Sequence, residues 1–430
     1  MPEPAPVFDA AVVGGGPAGS SAAIGLALRG ARVVLLEARA YPHDKLCGEF
    51  LSPECAGLLD DLGVTPALRA LAPVAIDTVC LTSPNGTAWE SRLPGTAWGL
   101  TRRALDQSLA QRARAVGVEV RTSVSVTGID GHLGQGFTLR VAGARLSRGA
   151  DAGDQTVRAR TVIAAHGKRG ALDRSLGRRF LRQPQPFLAL KAHFAGPPLP
   201  GRIELHGFPG GYCGMSEVEI TSSETEGISD VEGNSEIDSS ASAPSHAANV
   251  CLLVHDTIFR RAGGAGPQRV AAFIRWMRAQ NPRLDAWLAG ATQLDERWLS
   301  IAQVPFGPKR PVVAEVLMAG DAAGLIVPLA GDGIAMALRG GQLAAEHSSR
   351  FLSGRCSAAS LMDGYARAWS GEFNARLRLG RLLQSVMLRP RLLGLGLSLL
   401  NAAPALGRYV VTRTRAAPAA GSLAPVAENF

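Results

Sequence analysis

The chain has 430 residues, 46% of them apolar, and a net charge of +9. This length and composition allow one large hydrophobic core or two unequal ones. No apolar run reaches the roughly 18 residues that a membrane-spanning helix needs. The N-terminus lacks the basic region and apolar stretch of a secretory signal, so a cytoplasmic location is expected.

The positive charge is mostly arginine, spread along the chain with few aromatic residues beside it. Nucleic-acid binding is therefore not expected, because base stacking needs aromatic platforms. The six cysteines form no C-x-x-C pair and have no histidine cluster near them. We expect reduced thiols and no metal site.

The first elements in the chain form a βαβ unit. Residues 7–13 are a short apolar run before a glycine cluster, which predicts a buried strand; residues 20–29 predict a helix, and residues 31–36 a second strand. The cluster is a G-x-G-x-x-G sequence made of Gly14, Gly15, Gly16, Pro17, Ala18 and Gly19. Its glycines allow a tight turn and a close approach of a pyrophosphate to the helix N-terminus. Glu37 follows the second strand, where a carboxylate can accept hydrogen bonds from a ribose.

The middle of the chain alternates strands and helices. Residues 76–92 predict a hairpin around Pro84-Asn85-Gly86, in a separate sheet facing the substrate. A helix is predicted at 105–116, followed by strands at 118–129, 137–141 and 161–165. Residues 217–249 hold eight acidic residues and no Lys or Arg, which predicts a disordered insertion.

A second glycine motif follows an apolar strand predicted at 311–319. It begins Gly320-Asp321 and continues through Pro328 and Gly331 to a helical segment predicted at 332–351, in which Gly333 comes directly before the helical pattern that starts at Ile334. An aspartate in such a turn can bind the ribityl chain of a flavin, and the helix N-terminus can stabilise negative charge on the reduced ring. The second motif therefore favours FAD over NAD as the dinucleotide bound at the first glycine motif.

The C-terminal part becomes basic and leucine-rich. Eight arginines and no acidic residue occur from Arg376 to Arg415, and helices broken at Pro390 and Pro404 are predicted. Residues 392–406 are largely apolar but too short to span a bilayer. Residues 373–415 therefore predict either peripheral contact with the inner membrane surface or helices packed on the core.

Taken together, these motifs resemble the para-hydroxybenzoate hydroxylase-like FAD-dependent oxidoreductases, and most closely their geranylgeranyl-reductase-related branch. The resemblance also rests on the loop 45–49 (Lys-Leu-Cys-Gly-Glu) and on the run 103–106 (Arg-Ala-Leu-Asp). It implies an α/β fold with a Rossmann-like, discontinuous FAD-binding domain, an α+β substrate domain built on an antiparallel sheet, and C-terminal helices. The predicted domains are 1–75 with 100–180 and 305–355 for FAD, 76–99 with 181–304 for substrate, and 356–430 for the helices.

The resemblance also implies roles for single residues. Arg103 is expected near the FAD phosphates or ribityl chain and Val124 near the adenine, while Cys47 and Glu49 approach the flavin ring as candidate catalytic residues. Lys191 and His193 share one face of a predicted strand and are expected to be surface or satisfied polar groups. The stretch from His166 replaces the Asp-Gly with which the hydroxylases contact NAD(P)H. No second dinucleotide fingerprint occurs, so the expected electron donor is either NAD(P)H bound transiently over the FAD or a separate reductase.

Three functions stay open from the sequence. The first is a flavin monooxygenase acting on a hydrophobic aromatic or polyketide-type compound. The second is a flavin reductase that saturates isoprenoid double bonds, and the third is a non-catalytic lipid-binding escort on the same scaffold. The two enzymatic functions imply non-covalently bound FAD. All three functions imply a hydrophobic small molecule as substrate or ligand.

Overall fold

The computed structural model describes residues 7–143, 155–220 and 246–413. Its strands are β1 (Val7–Val13), β2 (Val33–Leu36), β3 (Phe50–Leu51), β4 (Val74–Thr82), β5 (Ala88–Gly99), β6 (Glu119–Arg121), β7 (Val124–His132), β8 (Gly136–Gly143), β9 (Gln155–Ala164), β10 (Phe187–Ala195), β11 (Arg202–Phe208), β12 (Gly211–Glu219), β13 (His246–His255), β14 (Thr292–Gln293), β15 (Leu299–Ala302), β16 (Gly307–Pro308), β17 (Val312–Val313), β18 (Val316–Met318) and β19 (Gly324–Leu325). Its α-helices are α1 (Pro17–Ala27), α2 (Cys55–Leu62), α3 (Thr65–Arg69), α4 (Arg102–Ala115), α5 (Ala171–Ser175), α6 (Asp256–Gly263), α7 (Arg269–Arg278), α8 (Pro282–Ala289), α9 (Gly333–Leu352), α10 (Ala358–Met387), α11 (Pro390–Ala402) and α12 (Pro404–Arg413).

The first sheet has a parallel centre. β1 pairs in parallel with β2 and β9, and β6 and β18 extend the sheet in parallel on either side. The predicted single strand over 118–129 is wrong: Ser123, at φ 59°, turns the chain between β6 and β7. β7 instead pairs with β8, and β8 with β9, in an antiparallel meander.

The second sheet is antiparallel except for one pair. Its order is β14-β10-β13-β12-β11-β4-β5-β3, and only β4 and β11 run parallel among its described pairs. The predicted hairpin around Pro84-Asn85-Gly86 is confirmed as β4 and β5. β3 pairs with β5, so the chain after loop 45–49 joins the second sheet directly. This connection brings the loop between the two sheets.

The predicted limits of the acidic insertion are too wide. Glu217, Val218 and Glu219 end β12 and pair with the first residues of β13. They form strand because Val218 is buried in the sheet and Glu219 is bound by Thr101. The rest of the predicted insertion, 221–245, lies outside the described residues.

The C-terminal helices cover the second sheet. The predicted breaks are confirmed, because Pro390 and Pro404 begin α11 and α12 and proline suits the first helical turn. Buried residues of α10 and α11, including Met387, Leu393 and Leu397, share a core with β4, β5 and β11. Within the described ranges, no helix combines the length and apolar character that crossing a bilayer requires.

Candidate functional site

The first glycine motif forms a tight turn from β1 into α1. Gly14 has φ 100°, and a Cβ on Gly19 would lie 1.8 Å from the Gly14 carbonyl oxygen, so both positions require glycine. Gly16 is the N-cap of α1 in extended conformation, and no side chain in the described chain caps this helix. A Cβ on Gly16 would meet only an Arg102 nitrogen, at 3.4 Å. The start of α1 therefore keeps its backbone N–H groups available for an anion.

Glu37 closes this turn from the end of β2. Its buried Oε2 accepts a hydrogen bond from the Gly15 N–H at 2.7 Å, and its carbonyl accepts one from the Val124 N–H at 2.9 Å. Tyr41 donates its hydroxyl to the Gly15 carbonyl at 2.7 Å. Glu37, Val124 and the glycine turn thus lie together, as a nucleoside site would require; their contacts to ribose and adenine stay predictions.

The arginine beside the glycine turn is Arg102, not Arg103. Arg102 forms a bidentate ion pair with the buried Asp106, with nitrogen–oxygen distances of 2.9 and 2.7 Å. The side chain of Arg103 is 36% exposed and lies 3.7 Å from Asp44. Sequence reasoning missed Arg102 because α4 begins with two adjacent arginines. The two differ only in the direction in which each side chain leaves the helix, which the sequence does not show.

The second glycine motif packs against the first. Gly320 has φ 59°, and a Cβ there would lie 2.7 Å from Cβ of Ala18. The Ser21 hydroxyl in α1 donates to the Leu338 carbonyl in α9 at 2.8 Å. Two turns separated by about three hundred residues therefore meet at the N-terminus of α1, as the two-motif hypothesis requires.

Backbone carbonyl groups in and just before the second glycine motif accept hydrogen bonds from three side chains. Arg178 donates to the Ala322 carbonyl at 2.6 Å, Lys309 to the Asp321 carbonyl at 2.8 Å, and Tyr365 to the Met318 carbonyl at 2.5 Å. Burial lowers the pKa of Lys309 to about 8. These bonds fix the turn around Asp321 without using its carboxylate.

The remaining residues of this motif form the start of α9. Pro328 begins a 3-10 turn, Gly331 follows at φ 65°, and Gly333 and Ile334 open the helix. Its N-cap, Asp332, is buried and pairs with Arg376 at 3.1 Å. With the first motif, this arrangement fits FAD: a glycine cradle at a helix start, a buried carboxylate after β2 and a second turn against the first.

A buried ionic cluster lies at the loop that carries Cys47 and Glu49. Glu49 is fully buried and has a backbone φ of 53°. Its carboxylate accepts hydrogen bonds from Lys191 Nζ at 2.5 Å and from the Arg102 N–H at 2.9 Å. The same carboxylate lies 2.8 Å from His193 Nε2. His193 Nδ1 lies 3.3 Å from Asp295, whose side chain is 37% exposed. We call Glu49, Lys191, His193 and Asp295 the Glu49 cluster.

The charges of this cluster stabilise one another. Burial alone would raise the pKa of Glu49, but Lys191 and His193 lower it to about 2. Burial would lower the pKa of His193, but its bonds to Asp295 and Glu49 raise it to about 9. The expectation that Lys191 and His193 share a strand face is confirmed, and both are satisfied polar groups; neither is a surface residue.

Cys47 is held in the same place. Its carbonyl accepts a hydrogen bond from Asn249 at 3.1 Å, its sulfur accepts one from the Glu49 N–H at 3.4 Å, and the Leu46 carbonyl accepts one from Lys168 at 3.1 Å. Arg102 lies close enough to the thiol to interact with it. The loop is thus held by β13 of the second sheet and by the segment that follows β9.

Glu219 is a further buried carboxylate near this loop. It accepts hydrogen bonds from the backbone and hydroxyl of Thr101, at 2.8 and 2.5 Å. Burial raises its pKa to about 7. Sequence reasoning missed it because it lies within the stretch predicted to be disordered.

Two other titratable candidates lie in separate contacts. His166 is 3.0 Å from the buried Asp173, which also binds Arg178 at 3.0 Å. His206 is buried beside Thr82, 2.8 Å from its hydroxyl. At the position where the hydroxylases carry the Asp of Asp-Gly, this structure therefore places a histidine ring against a buried carboxylate.

An apolar cavity of about 150 Å³ lies between the second sheet and the C-terminal helices. It is lined by leucines, valines and a tryptophan from β4, β5, β11, α10 and α11, together with Leu329. Leu329 follows Pro328 in the second glycine motif, and its N–H is bound by the Tyr212 hydroxyl at 3.2 Å. The cavity thus reaches the motif that fits the flavin.

Comparison with known proteins agrees with this geometry. Residues 7–207 match the FAD binding domain family. A menaquinone reductase of Mycobacterium tuberculosis is 28% identical over 384 residues, covering 84% of this chain and 81% of the relative. Digeranylgeranylglycerophospholipid reductase 1 of Methanothermobacter thermautotrophicus is 27% identical over 363 residues, covering 80% and 78%. The flavin-dependent brominase Bmp2 has the same fold, with a TM-score of 0.71 at 18% identity over 95% of this chain and 93% of that one.

The motifs and the relatives identify the protein as an FAD-dependent oxidoreductase, and so as an enzyme. The chain resembles the para-hydroxybenzoate hydroxylase-like superfamily, and its relatives include geranylgeranyl reductases and menaquinone reductase.

Proposed function

We propose that this enzyme uses FAD to saturate carbon–carbon double bonds of an isoprenoid lipid. Two of the relatives that match about four fifths of the chain are named as reductases of a menaquinone and of a digeranylgeranyl phospholipid. Both names describe molecules with long apolar chains. This supports reduction over hydroxylation for the present chain.

The observation that carries the proposal is the apolar cavity. Its lining is hydrocarbon from Val79 and Leu81 on the sheet to Leu393 and Leu397 on α11, and its inner end is at Leu329 beside the flavin motif. Such a wall binds an alkyl or isoprenyl chain by removing its surface from water. A charged or strongly polar substrate would find no partner along it.

The chain's own residues would prepare the site around the cofactor. When bound, FAD supplies the hydride that reduction of a double bond consumes. Glu49 is a positioning residue: its ionised carboxylate anchors the Cys47 loop to Lys191, His193 and the start of α4. The hydrogen-bonded loop, half-buried at Cys47 and buried at Glu49, would limit the access of water to this side of the site.

The reduction also needs one proton, and the contacts from Glu49 through His193 to the partly exposed Asp295 offer a hydrogen-bonded path for it between the Cys47 loop and solvent. His193 holds a proton at neutral pH because its pKa is about 9. Asp295 is bonded to it and partly exposed, so a proton released inward can be replaced from solvent. Each saturated bond takes one hydride and one proton, and His193 regains its proton through Asp295.

We further propose that NAD(P)H or a separate reductase provides the electrons, and that the enzyme works in the cytoplasm at the inner face of the membrane. The first proposal rests on the superfamily, in which a donor must recharge the flavin. The second rests on the lipid substrate and the basic segment 373–415.

A single-turnover experiment tests the function. The purified holoenzyme is reduced anaerobically and mixed with a short, soluble isoprenoid alcohol, and the product is analysed by mass spectrometry. Gain of two hydrogens per double bond without oxygen supports the proposal. No reduction of any isoprenoid, together with an oxygen-dependent gain of one oxygen atom on an aromatic compound, would assign hydroxylation instead.

The cavity itself is tested by filling it. Leu397→Trp would occupy the space where the chain binds, so turnover of the isoprenoid should fall at least about tenfold. The control Leu28→Trp enlarges an exposed leucine after α1 and should leave turnover unchanged. Equal activity of both variants would show that the cavity does not hold the substrate.

A further inference from the structure

Helix α11 has two separate apolar faces. Leu393, Leu397 and Leu400 line the cavity. Leu392, Leu395 and Leu399 project outward; Leu395 is 69% exposed, whereas Leu397 is 2% exposed. At about 100° per residue, the centres of these two sets lie roughly 130° apart around the helix axis. Packing against the protein explains only the inner set.

The outer face continues beyond α11. Of the eight large apolar side chains that are exposed in the described ranges, six lie between residues 382 and 409. They are Leu382 on α10, three leucines of α11, and Leu406 and Tyr409 on α12. Single exposed leucines are ordinary, but a group of six on three consecutive helices marks an interaction surface. We call it the C-terminal face.

The charge around this face has one sign. Arg378, Arg381, Arg389 and Arg391 are exposed on α10 and at the start of α11, and among the described residues none of them forms an ion pair with a carboxylate. No acidic residue occurs between Phe373 and Arg415. Exposed leucines and exposed arginines on the same consecutive helices complement a surface that is negative at its headgroups and apolar beneath them.

We propose that the C-terminal face docks on a bilayer that contains anionic lipids, with the outer leucines of α11 among the acyl chains. A second copy of this chain is a poorer partner, because two such faces would oppose arginine with arginine. Docking depends on these side chains alone and does not depend on the redox reaction.

A consequence follows for substrate entry, and it rests on the proposed function. α11 would separate the bilayer on its outer side from the cavity on its inner side. A lipid substrate could then pass from the membrane into the cavity around this one helix without crossing water. The proposed enzyme would accept its substrate from the membrane and not as a soluble molecule.

Vesicle binding tests the docking. The holoenzyme is sedimented with vesicles of phosphatidylcholine containing phosphatidylglycerol, and with vesicles of phosphatidylcholine alone. We expect binding to the anionic vesicles that weakens with salt. Leu395→Asp with Leu399→Asp should lower the partition coefficient at least about tenfold, and replacement of Arg389 and Arg391 by Gln should lower it about fivefold per arginine.

The control Leu28→Asp introduces the same charge at an exposed leucine outside this face and should bind as the unmodified enzyme does. No binding to anionic vesicles, or equal binding by the double aspartate variant, would overturn the proposal. A dimer that the aspartate variant converts to a monomer would assign the face to a second copy instead.

The redox proposal can fail separately. The aspartate variant should keep its turnover of a soluble isoprenoid alcohol and lose turnover of a lipid held in vesicles. If the vesicle binding behaves as expected but neither substrate is reduced, the docking surface stands and the proposed reaction is wrong. If both substrates are reduced equally well by the variant, entry from the bilayer is excluded.

Discussion

The cofactor half and the substrate half of the site are built from different chemical groups of the chain. The cofactor half uses backbone: two glycine turns meet where Gly320 approaches Ala18, and the N–H groups at the start of α1 remain available. The substrate half uses side chains: the ionised Glu49 cluster and a cavity lined by leucines. An added side chain should therefore damage the first half, and a lost charge or a filled space the second.

The largest effect should come from removing the charge at the centre of the Glu49 cluster. Glu49→Gln leaves Lys191 and His193 buried without their anion, which should lower the free energy of unfolding by about 3–5 kcal/mol. Denaturant unfolding measures this. Glu90→Gln, in an exposed pair with Arg202, is the control and should cost less than about 1 kcal/mol. Similar losses in the two variants would mean that the cluster is not a buried ionic unit.

Gly16→Val should weaken FAD binding roughly a hundredfold, a free-energy loss of about 3 kcal/mol. The valine fits the fold, since its Cβ meets only Arg102, but it fills the approach to the N-terminus of α1. Titration of the apoprotein with FAD measures the affinity. Gly371→Val in α10, where a Cβ meets no atom within 4 Å, is the matched control. Unchanged FAD affinity in Gly16→Val would mean that the FAD phosphates do not bind at this turn.

Raising the pH should destabilise the substrate half first. The pKa of His193 in the folded protein is about 9, above its ordinary value of 6.5. Its stabilising contribution is therefore complete below pH 6.5 and is lost as the pH rises through 9, at most about 3 kcal/mol. His193→Gln should flatten this part of the profile of unfolding free energy against pH. A profile that falls equally in the variant would assign the loss to another group.

The smallest effect distinguishes two neighbouring arginines. Arg102→Lys keeps the charge beside Gly16 but loses the bidentate contact, and should raise the Kd for FAD about fivefold to tenfold. Arg103→Lys should change it less than about twofold, because this side chain lies at Asp44. The opposite ranking would restore the role that the resemblance gave to Arg103.

The same division determines what the sequence can predict. A turn that requires glycine for steric reasons must carry glycine in a short contiguous segment, so Gly14, Gly19 and Gly320 are recognisable from the amino-acid sequence alone, as is Glu37 after its strand. The Glu49 cluster is assembled from a loop, the strand β10 and Asp295, and its ion pairs follow from strand register that no local pattern records. Strand periodicity places Lys191 and His193 on one face correctly, but their burial depends on which sheet covers them.

The ends of strands and loops are predicted less well where strand pairing, and not local composition, determines the structure. Glu217 to Glu219 lie in an acidic, polar stretch, yet hydrogen bonds to β13 make them strand. Arg102 and Arg103 are equal in composition and differ only in helix phase. The cavity cannot be predicted from local sequence at all, because it forms between β-strands near residue 80 and helices near residue 390.

A crystal structure of the enzyme with FAD and an isoprenoid analogue tests the central claim most directly. We predict the pyrophosphate at the Gly16 turn, the flavin ring between the Cys47 loop and Asp321, and the isoprenoid chain in the cavity beyond Leu329. A flavin ring bound away from both the Cys47 loop and Leu329, or an analogue bound outside the cavity, would contradict it.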